Sequence, residues 1–360
     1  MIRAASGPGF GDAVVSQAGA ASGVVFRPAT PADREGILAV AAKLPSNWIP
    51  YALDEGLSLS RGGFFVTEIA GRVVAICQAY LRHDGAWLEA MRVDPEFQGR
   101  GLATGLTSHV LEACAKWGCR RARLSTAVTN APVHHFVGTR LGFRPLGRWV
   151  YVDEAPDLSP IEAGPLTGGL GTASLDPGPV RTAGPADLES VWVFLAGRYQ
   201  AQRIRPAWLL SRPDHPWRLL DLTREELSQL LGEGWVLISE ALPDSGRSPA
   251  GPASAINGVA FAAVHPEDPF ESGRPGWACV SFLEGSAKVM ISLLDGVLAA
   301  ARRMPTVRTL DVSLPESQWD VFATLARPEW LGCGPSLDAV IYEKDLTPGG
   351  PGRLGGLADG

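Results

Sequence analysis

The strongest constraint on the fold is an internal repeat. The segment Arg27–Asp33 (RPATPAD) returns as Arg181–Asp187 (RTAGPAD), and each copy joins a strand-like start to a Pro-Ala-Asp turn. Such a turn can cap the amphipathic helix that follows it. Further matching runs follow in the same order, namely Gly63–Glu68 with Trp235–Glu240, Gly71–Ile76 with Gly258–Ala263, and Arg121–Thr126 with Arg308–Ser313. We therefore predict two related α/β domains, with chance similarity between two α/β domains as the alternative.

A segment rich in Pro, Gly and acidic residues separates the two copies. Residues 153–179 show no hydrophobic period, which is typical of a linker. Residues 347–360 have the same character, and residues 1–23 are rich in Gly, Ala and Ser, so both ends are predicted to be flexible tails. The predicted domains are therefore residues 24–152 and residues 180–346.

Charge and cysteine content exclude several classes of protein. The 360 residues carry 32 Lys and Arg against 38 Asp and Glu, a net charge of −6, which argues against binding to nucleic acid or an anionic membrane. Five cysteines without a C-x-x-C pair predict neither a disulfide framework nor a metal site, and they favour a cytoplasmic protein. No apolar run reaches the roughly 18 residues of a membrane-spanning helix.

A strand, a Gly-rich loop and a helix follow one another in the first domain. The strand is predicted to end near Val93, Asp94 and Pro95 turn the chain, and Gln98–Ala103 (QGRGLA) begins the helix. Small residues let the backbone approach a ligand, and the first N–H groups of a helix have no intrahelical acceptors. Together with the helix dipole they form an anion site suited to a pyrophosphate.

Two common phosphate-binding motifs fit this loop poorly. A Walker loop needs a Lys after its last glycine, and a Rossmann fingerprint needs G-x-G-x-x-G, whereas Gly101 is followed by Ala103 and Thr104. The loop instead resembles motif A of the GNAT acyltransferases, Q/R-x-x-G-x-G/A. Gln98, Gly101 and Ala103 occupy the fixed places of that motif.

The resemblance extends over Phe26–Val152, because Val93–Glu96 (VDPE) resembles the segment before motif A and Leu141–Phe143 (LGF) resembles the closing segment of the family. It implies an α/β fold of two GNAT-like domains, each a mixed, mostly antiparallel twisted sheet flanked by helices. In the first domain, two central parallel strands would splay apart in a V. It also implies acetyl-CoA or another acyl-CoA as cosubstrate, bound by Met91, Arg92, Val93, Gln98, Gly99, Arg100, Gly101, Leu102, Ala103, Thr104 and Asn130.

Glu89 is the candidate catalytic base. Acetyl transfer to an amine needs a group that removes a proton from the ammonium form near neutral pH. Strand alternation predicts that positions 87, 89, 91 and 93 share one face, which aims the carboxylate into a cleft or exposes it at an edge. GNAT relatives keep an acidic residue near this place, so the resemblance implies that Glu89 is the base. A structural ion pair is the alternative.

The general acid of the family is missing from this sequence. GNAT relatives often place a Tyr four residues before the Gly of LGF, where this sequence has Gly138 beside Val137. His134 and His135 lie one helical turn away, and at most one of them can face the cleft. Either could replace the Tyr, with a surface or capping histidine as the alternative. A CoA thiolate can also leave without a protein acid.

The second copy keeps the rhythm of the family without its motif. Trp277–Lys288 (WACVSFLEGSAK) holds a strand and one glycine where motif A is expected, which predicts a degenerate copy. We predict an N-acetyltransferase that acetylates a primary amine of a small molecule, with Asp54 and Glu55 near the acceptor. The alternatives are a protein N-acetyltransferase and a non-catalytic acyl-CoA-binding regulatory protein.

Overall fold

The structure is a computed structural model, and the account below is confined to the residues that it describes. These residues are 23–43, 49–155, 177–202, 209–212, 215–241, 256–267, 275–316, 318–319, 322 and 338–348. Most of the predicted linker, and nearly all of the two predicted tails, lie outside these residues. Leu331–Cys333 (LGC), whose sequence is similar to the LGF segment of the first copy, also lies outside them. No helix within these ranges is long and apolar enough to cross a membrane.

Contacts between residues divide the chain into two compact units. Unit 1 comprises Met1–Ala122 and Asp345–Arg353, and unit 2 comprises Arg123–Lys344 and Leu354–Gly360. The division falls before residue 152, where the sequence predicts the end of the first domain. The reason is a strand of the first copy that pairs within unit 2, described below.

Unit 1 is built on four antiparallel strands in sequential order. Its elements are β1 (Val24–Pro28), α1 (Arg34–Ala41), α2 (Ile49–Ser58), β2 (Gly63–Ile69), β3 (Arg72–Arg82), β4 (Gly85–Val93) and α3 (Leu102–Lys116). The strands pair as β1-β2-β3-β4. Ala70 and Gly71 join β2 to β3 with φ of +48° and +77°, which is the two-residue hairpin turn that the sequence predicts.

Both faces of the unit 1 sheet are covered by helices. α1 and α2 cover one face, where the buried side chains are Ile37, Val40, Ile49, Leu53, Phe64, Val66 and Ile76. α3 covers the other face with Leu106, Val110 and Cys114, which are fully buried and recur every four residues. The Gly-rich loop therefore leads directly from the end of β4 into a helix fixed on the sheet.

Unit 2 contains the remaining elements. They are β5 (Arg121–Ala127), which starts at the last two residues of unit 1, α4 (Ala131–His135), β6 (Arg144–Ala155), β7 (Pro177–Thr182), α5 (Leu188–Gln202), β8 (Leu209–Arg212), β9 (His215–Asp221), α6 (Arg224–Gly232), β10 (Val236–Ala241), β11 (Ile256–Glu267), β12 (Pro275–Glu284), α7 (Ala287–Arg302), β13 (Val307–Pro315) and β14 (Ala339–Asp345). β8 and β9 form a separate hairpin. The large sheet has the order β5-β14-β6-β13-β12-β11-β10-β7.

Most of the strand pairs in the large sheet of unit 2 are antiparallel. β12 and β13 run parallel, whereas the runs β7-β10-β11-β12 and β13-β6-β14 are antiparallel. α7 packs against β11, β12 and β7. The predicted fold class, a mixed and mostly antiparallel sheet flanked by helices, is confirmed.

β6 explains where the two compact units meet along the chain. By sequence this strand belongs to the first copy, because it directly follows the LGF segment. In the structure it lies between β13 and β14, with Val152 opposite Val312 and Trp149 opposite Ala339. The last strand of the first copy therefore shares its hydrogen bonds with two strands from the end of the chain.

A three-residue ion-pair cluster fixes the start of the first copy. Arg27 in β1 bonds to both carboxylate oxygens of Asp33 at 2.7 Å and to Glu68 of β2 at 2.7 Å. Asp33 also accepts the backbone N–H of Thr30 at 2.7 Å, so it closes the Pro-Ala-Asp turn. The hydrogen bonds from Arg27 hold the pKa of Asp33 below its ordinary value.

The same cluster fixes the start of the second copy. Arg181 in β7 bonds to both carboxylate oxygens of Asp187 at 2.8 Å and to Glu240 of β10 at 2.7 Å. Asp187 accepts the backbone N–H of Gly184 at 2.9 Å. Three charged residues in two separate copies thus make identical contacts, which supports duplication rather than chance similarity.

We expect the second cluster to contribute a pH-dependent part of the stability. Hydrogen bonds from Arg181 lower the pKa of Asp187 to about 2. Because the folded pKa lies below the ordinary value, the contribution is present above about pH 4 and is lost as the pH falls towards 2. Asp187→Asn should lower the free energy of unfolding by about 1 kcal/mol at pH 7 and by much less at pH 2.5.

Urea unfolding at the two pH values measures this difference. Glu189→Gln is the matched control, because Glu189 pairs with Arg224 on the surface with 66% of its side chain exposed. A loss of stability for Asp187→Asn that is equal at both pH values would contradict the assignment.

Candidate active site

A β-bulge in β4 sets the direction of the candidate base. Glu89 lies opposite Gln78 of β3, whereas Arg92 lies opposite Ile76, so three steps on β4 match two steps on β3. The extra residue accompanies Ala90, whose φ of +56° is rare for a residue with a side chain. Because Gln78 and Ile76 share a face of the sheet, Glu89 and Arg92 share that face too.

The bulge overturns one prediction from strand alternation. Glu89 was expected to share a face with Met91 and Val93, and this is wrong because the additional residue shifts the alternation after Glu89. Glu89 instead faces the side that α1 and α2 cover. Val93 lies opposite Ala75 on the face towards α3.

Gln78 is a site residue that the sequence analysis missed. Its side chain is 1% exposed, and its Oε1 atom accepts no hydrogen bond within the described part of the chain. α2 lies close above it, since a Cβ atom on Gly56 would stand 3.0 Å from Nε2 of Gln78. A single glutamine inside the apolar run of β3 was the available signal. A buried, unsatisfied acceptor beside Glu89 is costly unless a donor reaches it during function.

The thiol of Cys77 next to this pair remains protonated. Burial, and to a smaller extent the negative charge of Glu89, raise the pKa of Cys77 to about 12. A thiol in this state is a poor nucleophile. Cys77 is therefore a core residue and does not accept an acyl group.

A buried carboxylate anchors the loop that follows β4. The side chain of Asp94 is 2% exposed and accepts hydrogen bonds from Lys43 at 2.7 Å and Arg72 at 2.6 Å. It also accepts the backbone N–H of Glu96 at 3.2 Å. Burial alone would raise the pKa of Asp94, but these hydrogen bonds and positive charges hold it below its ordinary value. The carboxylate thus stays ionised and fixes the chain reversal.

Gln98 ties the loop back to the strand. Its Nε2 atom donates to the Val93 carbonyl at 3.1 Å, and its backbone N–H bonds to the Pro95 carbonyl at 3.4 Å. The backbone N–H of Gln98 was expected to face a pyrophosphate, and here it serves the loop itself. Arg100 bonds to the Glu96 carbonyl at 3.0 Å and so braces the same turn.

The start of α3 is open. Gly99 and Gly101 have φ of +73° and +75°, which favours glycine, and a Cβ atom on either would meet nothing within 4 Å. The helix begins at Leu102 with Gly101 as its N-cap, and no side chain caps it. The N–H groups of Leu102–Thr104 therefore have no helical acceptor and face free space. This geometry fits an anion, as the sequence predicts.

The comparison with family models decides the relationship of this region. Residues 38–143 match the model of the Acetyltransferase (GNAT) family. Over these residues the chain is similar to the GNAT family. The match begins within α1 and includes α2, the bulged strand, the open loop and the LGF segment.

One solved structure shares the fold at low sequence identity, and two others are similar to the chain with lower TM-scores. A GCN5-related N-acetyltransferase from Sphaerobacter thermophilus is 17% identical, and the match covers 91% of this chain and 97% of that chain with a TM-score of 0.55. A tandem GNAT protein from the clavulanic acid biosynthesis pathway is 16% identical, with 90% and 99% coverage and a TM-score of 0.48. A GCN5-related N-acetyltransferase from Kribbella flavida is 17% identical, with 89% and 71% coverage and a TM-score of 0.47. No curated protein matches this sequence significantly.

The predicted GNAT site residues divide between the two compact units. Glu89, Met91–Val93 and Gln98–Thr104 lie together in unit 1, at the end of β4 and the start of α3. Asn130 lies in unit 2 as the N-cap of α4, and its backbone carbonyl accepts the N–H of His134 at 3.1 Å. No side-chain cap bond occupies the Asn130 amide. Its pantetheine contact stays a prediction.

His134 does not replace the missing GNAT tyrosine in this structure. Its Nε2 atom lies 2.9 Å from the Val128 carbonyl, and its Nδ1 atom lies 2.8 Å from the Tyr342 hydroxyl. Because a carbonyl only accepts, Nε2 carries the proton and Nδ1 accepts the hydrogen bond from Tyr342. Both ring nitrogens thus hold α4 in place, while His135 is exposed.

The two acids predicted near the acceptor, Asp54 and Glu55, are neighbours in α2. Asp54 forms an ion pair with Arg34, and this hydrogen bond lowers the pKa of Asp54. The Glu55 carbonyl accepts the hydroxyl of Ser58 at 2.8 Å. Asp54 is therefore already neutralised by an arginine.

The second copy closes the equivalent helix start with its own side chain. Ser286 is the N-cap of α7 and accepts the backbone N–H of Val289. The first copy has two glycines, Gly99 and Gly101, before its helix, whereas Gly285 is followed two residues later by Ala287. The turn with two glycines is therefore absent from this described segment of the second copy. A self-capped N-terminus has less capacity for an anion.

A side chain of the protein also bonds to β12 in the second copy, beyond the point where β12 and β13 stop pairing. The parallel pairing of β12 with β13 ends at Val280 and Val312. Beyond this point the backbone N–H of Leu283 donates to Oε1 of Gln318 at 3.2 Å, and Gln318 is 4% exposed. The chain itself thus satisfies a strand donor that would otherwise face a cleft.

The two ends of α3 provide a matched test of the open loop. Gly101 and Gly118 both have positive φ, +75° and +89°, and both face free space. Gly101→Glu and Gly118→Glu should each cost about 1–2 kcal/mol of stability because of backbone strain. Only Gly101→Glu should weaken acetyl-CoA binding, by at least about ten-fold, because its carboxylate competes for the helix N-terminus.

Isothermal titration with acetyl-CoA, with thermal melting of each variant, measures both effects. Equal loss of affinity in the two variants would show that the loop is not the phosphate site.

Proposed function

We propose that this protein is an N-acetyltransferase that uses acetyl-CoA and acetylates a primary amine of a small molecule in unit 1. The observation that carries the proposal is the combination, in one GNAT domain, of an open helix N-terminus and a carboxylate on the bulged strand. Glu89 supplies the carboxylate, and Gly99–Thr104 supply the N–H groups for the pyrophosphate. Met91–Val93 at the strand end are the proposed contacts of the pantetheine arm.

The proposed chemistry is direct transfer. Glu89 takes a proton from the ammonium group, directly or through water, so that the neutral amine attacks the thioester carbonyl. A C–N bond forms as the C–S bond breaks, and the attacking nitrogen gives up its second proton to solvent as the amide forms. The sulfur leaves as a thiolate that takes up a proton from solvent. No acyl-enzyme is needed, in agreement with the protonated, buried Cys77.

We propose that Gln78 accepts a hydrogen bond from Glu89 once this residue has taken up the proton. The two residues are cross-strand partners, whose Cβ atoms stand about 5 Å apart in such pairs. When Glu89 becomes protonated, its hydroxyl can donate to the unsatisfied Oε1 of Gln78. Gln78 is therefore the proposed partner of Glu89 when this residue acts as the base.

We expect Glu89→Gln to retain acetyl-CoA affinity and to lower turnover by about 10² or more, because glutamine has no basic site. Glu112→Gln is the control, since this residue is exposed on α3. The measurement is acetyl-CoA-dependent thiol release over a panel of small amines and peptides. Unchanged turnover in Glu89→Gln would remove Glu89 from the mechanism.

The same assay distinguishes the alternative functions. Thiol release with peptides only would favour a protein N-acetyltransferase. Binding of acetyl-CoA without release on any amine would favour a regulatory acyl-CoA-binding protein, for which the missing tyrosine is the supporting observation.

We expect one acetyl-CoA to bind per chain. The second copy has a self-capped helix start at Ser286 and a strand donor satisfied by Gln318. Isothermal titration should therefore give a stoichiometry of one for the native chain, and binding at least about ten-fold weaker after Gly101→Glu. A stoichiometry of two, or residual tight binding in that variant, would assign a working site to the second copy.

A further inference from the structure

The two copies can be aligned residue by residue through their ion-pair clusters. Arg27 and Arg181 make the same contacts, so the preceding residues, Phe26 and Val180, correspond. Arg27 pairs with Val66 across β1 and β2, and Arg181 pairs with Ile238 across β7 and β10. The residues one step earlier on β2 and β10, Phe65 and Leu237, therefore also correspond.

A glycine on each long helix extends the alignment. A Cβ atom on Gly105 of α3 would lie 2.4 Å from the ring of Phe26. A Cβ atom on Gly296 of α7 would lie 3.1 Å from Val180 and 3.2 Å from Leu237. Each helix thus lies against the corresponding strand at a glycine, although the two glycines stand at different distances from their helix starts. His109 and Ala300 each lie one helical turn after that glycine, so they occupy comparable places relative to the strand.

In the first copy, three rings fill the space between helix and sheet. The ring of His109 lies 6.4 Å from that of Phe26 and 6.0 Å from that of Phe65. Burial of the imidazole lowers the pKa of His109, so the ring packs there uncharged.

In the second copy, the same positions hold small side chains. Val180, Leu237 and Ala300 all line a cavity of about 430 Å³ between α7 and the sheet, together with Gly296. This volume lies in the range of small-molecule sites in proteins. Aliphatic side chains thus line this cavity at places where the first copy has rings.

The lining of this cavity combines an apolar floor with one unused positive charge. Ala262, Val264 and Trp235 add further apolar surface. Of the charged lining residues, Arg181 already holds two carboxylates, and Glu233 accepts a hydrogen bond from Gln229 at 3.0 Å.

Arg303 also lines the cavity and is exposed at the end of α7. Its guanidinium forms no hydrogen bond or ion pair with any residue in the described ranges. A guanidinium in this state matches a carboxylate in charge and in fork geometry.

We propose that this cavity is a binding site for a small aromatic carboxylate. The ring of the ligand occupies the space that Phe26 and His109 fill in the first copy, and its carboxylate bonds to Arg303. The site lies within the second copy, goes beyond acetyl transfer and does not rest on it. It gives the degenerate copy a ligand of its own.

The test uses 4-fluorobenzoate as the probe and ¹⁹F NMR line broadening on the full chain. A ligand of this size should bind with a dissociation constant of about 1 mM. Arg303→Gln should weaken binding about ten-fold, because a charge-assisted hydrogen bond is lost. 4-Fluorobenzyl alcohol, which lacks the carboxylate, should bind about ten-fold more weakly than 4-fluorobenzoate to the native chain.

Val180→Phe is the decisive variant, because it restores the ring of the first copy. It should abolish binding and raise the melting temperature, since it fills the cavity. Val193→Phe is the control, because Val193 is 60% exposed on α5 and lies outside the cavity lining. If Val180→Phe fails to fold, Ala300→Leu replaces it as the test variant, because it fills the cavity from the side of the helix.

Three results would overturn the proposal. The first is no broadening of 4-fluorobenzoate with the native chain at about ten times the expected dissociation constant. The second is unchanged binding after the cavity is filled by either variant. The third is equal binding of the alcohol and the acid, which would leave an apolar site without the proposed carboxylate.

Discussion

Every helix must satisfy the N–H groups of its first turn, and the proposed function of this chain depends on how each copy does so. In the first copy, two left-handed glycines turn the chain into α3 without offering a side-chain acceptor. In the second copy, Ser286 supplies the acceptor itself. The same structural requirement thus leaves a place for an anionic ligand in one copy and removes it in the other.

Ion pairs and hydrogen bonds hold the loop that leads to the open helix start of the first copy. Asp94 holds the turn after β4 by ion pairs from two other elements, and Gln98 returns to the strand end. The bulge at Ala90 then sets Glu89 towards α1 and α2, away from the face of the sheet that packs on α3. The residues proposed for acid–base chemistry and for phosphate binding thereby lie at different places on one strand and its loop. This arrangement separates the two halves of the proposed reaction.

Much of this could be read from the sequence, because the features concerned are local. The duplication follows from two short segments whose arginine and aspartate are bound to each other in both copies. The loop from Gln98 to Thr104 follows from its glycines and from the motif that it resembles. The register of β4 could not be predicted, since a bulge at an alanine leaves no periodic signal and depends on the partner strand.

The remaining misses also come from residues far apart in sequence. His134 forms a hydrogen bond with Tyr342, which is more than half of the chain away in sequence. The backbone N–H of Leu283 donates to the side chain of Gln318, which belongs to a later segment. The cavity in the second copy is visible only when the two copies are aligned in space, because Val180, Leu237 and Ala300 are unremarkable as separate residues.

The position of β6 has a consequence for how this chain can have evolved and can be divided. Its hydrogen bonds go to β13 and β14, strands that the chain supplies only at its end. A fragment that stops after the first copy would leave both edges of this strand unpaired, and unpaired edges promote aggregation. The first copy therefore cannot be separated cleanly from the second, which gives selection a reason to retain a second copy without the motif.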